Sequence, residues 1–152
     1  FSIEKASKSL DGSRRRLKRD YLDIFLLHEP EVDLLNIDEW IGWLDRQVHK
    51  GNIREYGIAG NLIRIKEVLL TNKNLTSIVQ TECSLGQDTK LEAQIRSKAK
   101  YQFRYGCIRS IGSKDIAQTL GRMANDQFKK TYLISTRKKQ HLEELGRALN
   151  GT

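Results

Sequence analysis

Proline, cysteine and aromatic side chains are scarce in this sequence. One proline (Pro30), two cysteines (Cys83 and Cys107) and 7% aromatic residues are spread over 152 positions. The cysteines lack a CxxC partner and stand in strand-like segments. The expectation is therefore two reduced thiols in a cytoplasmic protein, neither catalytic nor part of a metal site. Scarce aromatics weigh against nucleic-acid binding, which interleaves basic patches with stacking rings. No apolar stretch approaches the length of a membrane span, and Phe1-Ser-Ile-Glu-Lys lacks the charged-then-apolar order of a secretion signal. Position 1 is not methionine, so the chain is expected to begin inside something longer or to be processed. A hydrophobic content of 38% is low for a tightly closed α/β core.

Charge is plentiful. Charged residues make up 30% of the chain, and 27 Lys+Arg against 19 Asp+Glu give a formal net charge of +8. Such a balance attracts phosphates, nucleic acid or acidic surfaces but names no ligand. The basic residues cluster at Arg14-Arg15-Arg16-Leu17-Lys18-Arg19, at Lys129-Lys130 and at Arg137-Lys138-Lys139, and the first cluster reads as a solvated helix end. The length fits one domain, 1–152, burying roughly two thirds of its extended surface.

The stretch from Asp20 to Pro30 is the organising element. Ile24-Phe25-Leu26-Leu27 is continuous rather than alternating, which suits a parallel strand covered on both faces, with a short buried helix as the alternative. Pro30 biases Glu29 towards an extended backbone, so the chain leaves the strand just after His28. His28 then sits at a strand's C-terminal end, where parallel α/β folds assemble active sites. The other reading is a core histidine with both ring nitrogens satisfied.

The rest of the chain alternates helix and strand. Ile3, Ala6, Leu10, Ser13 and Leu17 make one helical face over residues 3–17, and the first strand covers residues 21–28. Asp38 is the expected N-cap of a helix through residue 49, with Trp40, Trp43, Leu44, Gln47 and Val48 facing the core. Strands follow at 53–60, 76–83, 102–108 and 130–135, and helices at 62–70, 91–99, 114–124 (capped by Ser113) and 140–149. Helices between successive strands imply right-handed crossovers and a parallel sheet. Five strands are too few to close the common eight-stranded barrel.

Tyr21-Leu-Asp-Ile-Phe-Leu-Leu-His28, then Gly51-Asn52-Ile53-Arg54-Glu55-Tyr56-Gly57-Ile58, Val79-Gln80-Thr81-Glu82 and Ile134-Ser135-Thr136-Arg137, in that order and spacing, resemble the aldo-keto reductases. The resemblance implies part of a TIM-type (β/α) barrel: the third helix and strands four to eight, without the first three strands. It implies NADPH or NADH as cofactor and reversible hydride transfer to an aldehyde or ketone.

His28 matches the family residue that orients the substrate carbonyl. The tyrosine, lysine and aspartate that complete the catalytic tetrad belong to the missing part, and none of Tyr21, Tyr56, Tyr101, Tyr105 or Tyr132 lies in the family's tyrosine motif. Gln80 matches the glutamine that holds the nicotinamide carboxamide, whereas Ala59-Gly60 replaces the usual Ser-Asn pair. Asn61 substitutes for that pair only if the loop shifts. Ser135, Thr136 and Arg137 match the cofactor-phosphate segment, a sensible anion site ahead of a helix. Glu144 matches the residue that contacts the adenine and His141 stands where an arginine recognises the 2′-phosphate. Leu145 replaces a common asparagine.

The resulting expectation is the C-terminal part of an NAD(P)H-dependent reductase, inactive as this chain alone and acting on a small carbonyl compound if the barrel is completed. The alternative is a non-catalytic binding protein. Two exposed sheet edges favour a homo-oligomer. Nucleic-acid binding through the basic clusters is the weakest class.

Overall fold

A computed structural model of the chain describes residues 2–30, 36–72, 74–83, 89–107, 130–137 and 139–150. Helix α1 (Ile3–Leu17) leads into β1 (Leu22–His28), then α2 (Ile37–His49), β2 (Ile53–Gly60), α3 (Leu62–Thr71), a 3-10 turn (Asn74–Thr76), β3 (Ile78–Glu82), α4 (Thr89–Lys98), β4 (Tyr101–Tyr105), β5 (Lys130–Leu133) and α5 (Lys139–Asn150). The strands form one five-stranded sheet in the order β1-β2-β3-β4-β5, every pairing parallel. This is the expected open, partial α/β barrel. The expected helix over 114–124, its cap Ser113 and the strand end at Ile108 lie outside the described residues.

Local chemistry sets the element ends. Ser2 caps α1 by accepting the Lys5 N–H at 3.3 Å, and Lys18 closes it in the left-handed region (φ 52). The cap of α2 is Asn36, which accepts from the Glu39 N–H at 3.4 Å; Asp38 instead lies inside the first turn, where its charge favours the helix dipole. Val48, expected in the core stripe of α2, is 37% exposed. Strands β3, β4 and β5 are shorter than their apolar runs: residues 74–76 curl into the 3-10 turn, Gly106 turns the chain at φ 73, and Ile134 and Ser135 follow the last strand.

The sheet has one helix-covered face. Phe25 meets Trp43 of α2 edge-on at 5.8 Å, and Trp43 meets Trp40 at 5.9 Å. The Tyr56 hydroxyl donates to Asp45 of α2 at 2.7 Å. Phe25 and Tyr56 are register partners, as are Leu27 and Ile58, and Ile58 and Val79, so this row of side chains meets α1 to α4. Leu10, Leu44, Ile65, Val68, Leu91 and Ile95 complete the same core cluster. Fully burying such a side chain contributes about 1.5–3 kcal/mol. Towards β4 this face turns polar: Arg104, 4% exposed, donates to the Thr81 hydroxyl at 2.6 Å.

The alternate residues of each strand belong to the opposite face. Ile24, Leu26, Gln80, Phe103 and Tyr105 are half-buried there, and Leu133 is exposed. Gly57 belongs to this set, and a Cβ on it would run into the Ile78 carbonyl oxygen and Cβ.

Candidate active site

Parallel pairing puts every strand's C-terminal end at the same edge of the sheet. One row there runs His28, Ala59, Gln80, Phe103, Thr131 across all five strands in register. His28 and Gln80 are therefore on the same face at the same height, two strands apart, with a Cα separation of about 10 Å from the usual strand spacing. His28 is exposed and Gln80 half-buried, so both are open to a ligand on that face. Ala59 and Gly60 are the last residues of β2 itself rather than a following loop, and both are buried. Between His28 and Gln80 the row thus carries only a methyl group.

Asn61 does not fill that gap. Its side chain accepts from the Ile63 N–H at 2.9 Å and caps α3, and its own N–H donates to Glu29 Oε1 at 3.0 Å. Glu29 is the residue that sequence reasoning missed. Expected to be extended before Pro30, it has φ 43, a left-handed value that a side chain adopts at a cost of about 1–2 kcal/mol. Three contacts override the proline bias. Its N–H donates to the Ala59 carbonyl at 2.7 Å, its Oε1 accepts from Asn61, and its Oε2 meets Arg64 Nη1 at 3.0 Å.

Gly60 makes room for this clamp: at φ 150 it has no side chain, and a Cβ would come 2.5 Å from Glu29 Cγ. The Asn61 N–H holds the Glu29 carboxyl below its ordinary range against the opposing effect of desolvation, with help from the charges of Arg64 and His28. The Gly-Asn exit of β2 was a legible hint of a tight approach. The partner at position 64, 35 residues from Glu29, was not legible.

Tyr105 and Glu82 are register partners two residues beyond the row, on the same face. The phenol is shifted upwards, first by burial and then by the charges of Glu82 and Glu29. Its proton is therefore harder to give up than that of a free tyrosine.

Ser135, Thr136 and Arg137 are exposed between the end of β5 and the start of α5. They lie at the same C-terminal edge as His28, but β5 and β1 are the two outer strands, so the sheet's full width separates them. Glu144 is exposed on α5 and the backbone of His141 is helical, with its side chain outside the described residues. Leu145 is 4% exposed and packs inward, so that position serves the fold.

The donor set fits one end of a dinucleotide better than the other. Two hydroxyls and a guanidinium ahead of a helix suit a phosphate, while the row across the sheet offers one carboxamide, Gln80, beside two small residues. Among the described residues no cluster of three or more His, Cys, Asp or Glu could hold a metal ion, and no helix is long and apolar enough to cross a membrane.

Comparison with known proteins agrees with this fold. The chain is 30% identical over 83 residues to an uncharacterized oxidoreductase of Schizosaccharomyces pombe, a match covering 54% of this chain and 30% of that protein. Among solved structures it resembles an aldo-keto reductase from Pseudomonas aeruginosa (TM-score 0.71, 19% identity, 98% of this chain and 61% of that one). It also resembles the holo form of an aldo-keto reductase from Bacillus halodurans (TM-score 0.73, 20% identity, 95% and 61%). A further match is an aldo-keto reductase complexed with NADPH (TM-score 0.64, 16% identity, 94% and 54%). The chain thus spans less than two thirds of the length of these proteins. The model of the aldo/keto reductase family matches residues 1–100, and the chain belongs to that family.

Proposed function

We propose that these residues form the substrate-orienting and cofactor-binding part of an NAD(P)H-dependent carbonyl reductase, and that turnover needs a proton donor from outside the 152 positions. The observation that carries this reading is the row that sets His28 and Gln80 on one open face. His28 holds the substrate carbonyl by hydrogen bonding and stabilises charge developing on its oxygen. Gln80 orients the nicotinamide through its carboxamide. Ser135, Thr136 and Arg137 bind cofactor phosphate, Glu144 contacts the adenine and His141 lies by the 2′-phosphate. The nicotinamide, when bound, supplies the hydride.

Reduction also requires a proton for the nascent alkoxide. Tyr105 is a poor source, because burial and two nearby carboxylates strengthen its hold on the proton. The family tyrosine is assisted in the opposite sense by a lysine. The chain alone therefore binds but does not turn over, as a single cytoplasmic βα unit, and a small carbonyl compound becomes its substrate only when the barrel is completed.

A second reading is a non-catalytic, self-associating protein. It is favoured by β1 and β5, each of which pairs on one side alone within the sheet. Edge pairing predicts a homo-oligomer, and a sharp monomer in sedimentation would count against it.

The cofactor half of the proposal is tested by titrating the purified chain with NADPH and with NADH, following nicotinamide fluorescence. Arg137→Ala should weaken binding about tenfold, as expected for one charge-assisted phosphate contact. Gln80→Ala should weaken it less. Equal affinity in wild type and both variants would remove the assignment.

A further inference from the structure

The exits of β3 and β4 bring together the chain's two cysteines, which stand 24 positions apart. Beyond the last register pair, Glu82 with Tyr105, the ladder gains one more bond: the Cys83 N–H donates to the Tyr105 carbonyl at 2.7 Å. Gly106 then turns β4 at φ 73, and Cys107 follows at once. This turn sets Cys107 beside the strand end that carries Cys83. Neither cysteine is in a disulfide, and they differ in access: Cys83 is half-buried and Cys107 is 2% exposed. An oxidant therefore reaches one thiol, and the other waits behind it.

We infer that Cys83 and Cys107 are a peroxide-responsive dithiol: Cys83 is oxidised first, and Cys107 resolves it into an intramolecular disulfide between the ends of β3 and β4. In the first step the Cys83 thiolate attacks a peroxide oxygen. The O–O bond breaks, the leaving hydroxide takes up the proton that the Cys83 thiol had released, and the products are a sulfenic acid and water. In the second step the Cys107 sulfur attacks the Cys83 sulfur and displaces the hydroxyl as water, with loss of its own proton. Two thiols are oxidised by two electrons, and one peroxide is reduced to two waters.

The surroundings support this division of labour. Burial pushes the Cys107 thiol up to about 12, so it keeps its proton against an oxidant that the half-buried Cys83 meets first. An S–S bond of about 2.05 Å would join the neighbouring ends of the two strands. The resulting staple would lie one residue beyond Glu82 on β3, close to the row that carries Gln80. Oxidation would then fix the rim of the open face between β3 and β4.

The experiment is hydrogen peroxide treatment of the reduced, folded chain, followed by intact-mass measurement and non-reducing peptide mapping. The expected product is a monomer lighter by two hydrogens, with one cross-linked peptide pair joining positions 83 and 107, reversed by dithiothreitol. Cys83→Ser should leave Cys107 reduced under the same exposure. Cys107→Ser should leave Cys83 unresolved, so that it gains two oxygens as a sulfinic acid. The same treatment in denaturant should give the cross-link more slowly, and this arm needs no variant to fold. Independent oxidation of both cysteines, a disulfide between chains as the main product, or equal cross-linking rates folded and unfolded would each overturn the assignment.

Discussion

The two faces of the sheet have opposite characters. Leu27, Ile58 and Val79, on the helix side, are at most 3% exposed, and α1 to α4 pack over them. On the other side Ile24, Leu26 and Phe103 are only half-buried, and His28 is exposed. The same strands thus carry continuous apolar sequence for two different reasons. One set of alternate residues packs under the helices, whereas the other, buried at Ile53, Ala59 and Ile78, opens into a half-buried surface at Ile24, Leu26 and Phe103 beside the row of candidate functional residues.

The largest expected effect is on the helix side. Ile58→Ala should lower unfolding stability by about 2–5 kcal/mol in denaturant titration, because it leaves a cavity in a fully buried site. Leu26→Ala on the open face should cost about half as much or less, since its side chain is already partly in water. Equal losses would mean that the open face is covered in solution, and would break the contrast between the faces.

Next in size is Gly60→Ala. The new methyl must displace Glu29, and the backbone at φ 150 is strained for any side chain, so a loss of about 1–3 kcal/mol is expected. Glu29→Gln should give the smallest shift in melting temperature of the four, since it keeps an acceptor for the Asn61 N–H and loses only the charge facing Arg64.

The pH dependence sharpens this last point. Glu29 is held below its ordinary range in the folded chain, so its contribution is present above the unfolded value and is lost as pH falls through the folded one. Melting curves of wild type and Glu29→Gln should therefore differ at neutral pH and converge in acid. At the alkaline end, burial and the hydrogen bond to Asp45 push Tyr56 up to about 12, above the value of a free tyrosine. Its contribution is full below the free value and is lost as pH rises towards 12, and Tyr56→Phe should flatten that decline.

Sequence reasoning reached the strands most easily where burial is most complete. Ile24 to Leu27 and Ile58 to Gly60 were legible because apolar or small residues run between clear stops. The cap of α2 was misplaced from Asn36 to Asp38 because both residue types cap equally well and only the backbone distinguishes them. Strand β5 was drawn too long because Ile134 continues its apolar run while pairing with β4 ends at Leu133.

At the candidate site, His28 and Gln80 could be named from motifs, but their shared row follows from register. The Glu29 clamp and the meeting of the two cysteines depend on contacts between distant segments, and no local pattern announces them. Glu29 shows this most clearly: a proline next to it gave a valid local preference, and three tertiary hydrogen bonds outweighed it.

The central proposal is that the open face holds a substrate and cofactor without supplying the proton. Its most direct test is to mix the purified 152-residue chain with NADPH and a panel of aldehydes and ketones and follow consumption of the reduced nicotinamide. The predicted result is a rate indistinguishable from that of cofactor and carbonyl compound without protein. Turnover that survives purification to homogeneity and falls in His28→Ala would contradict it, and would show that a group within these residues gives the proton.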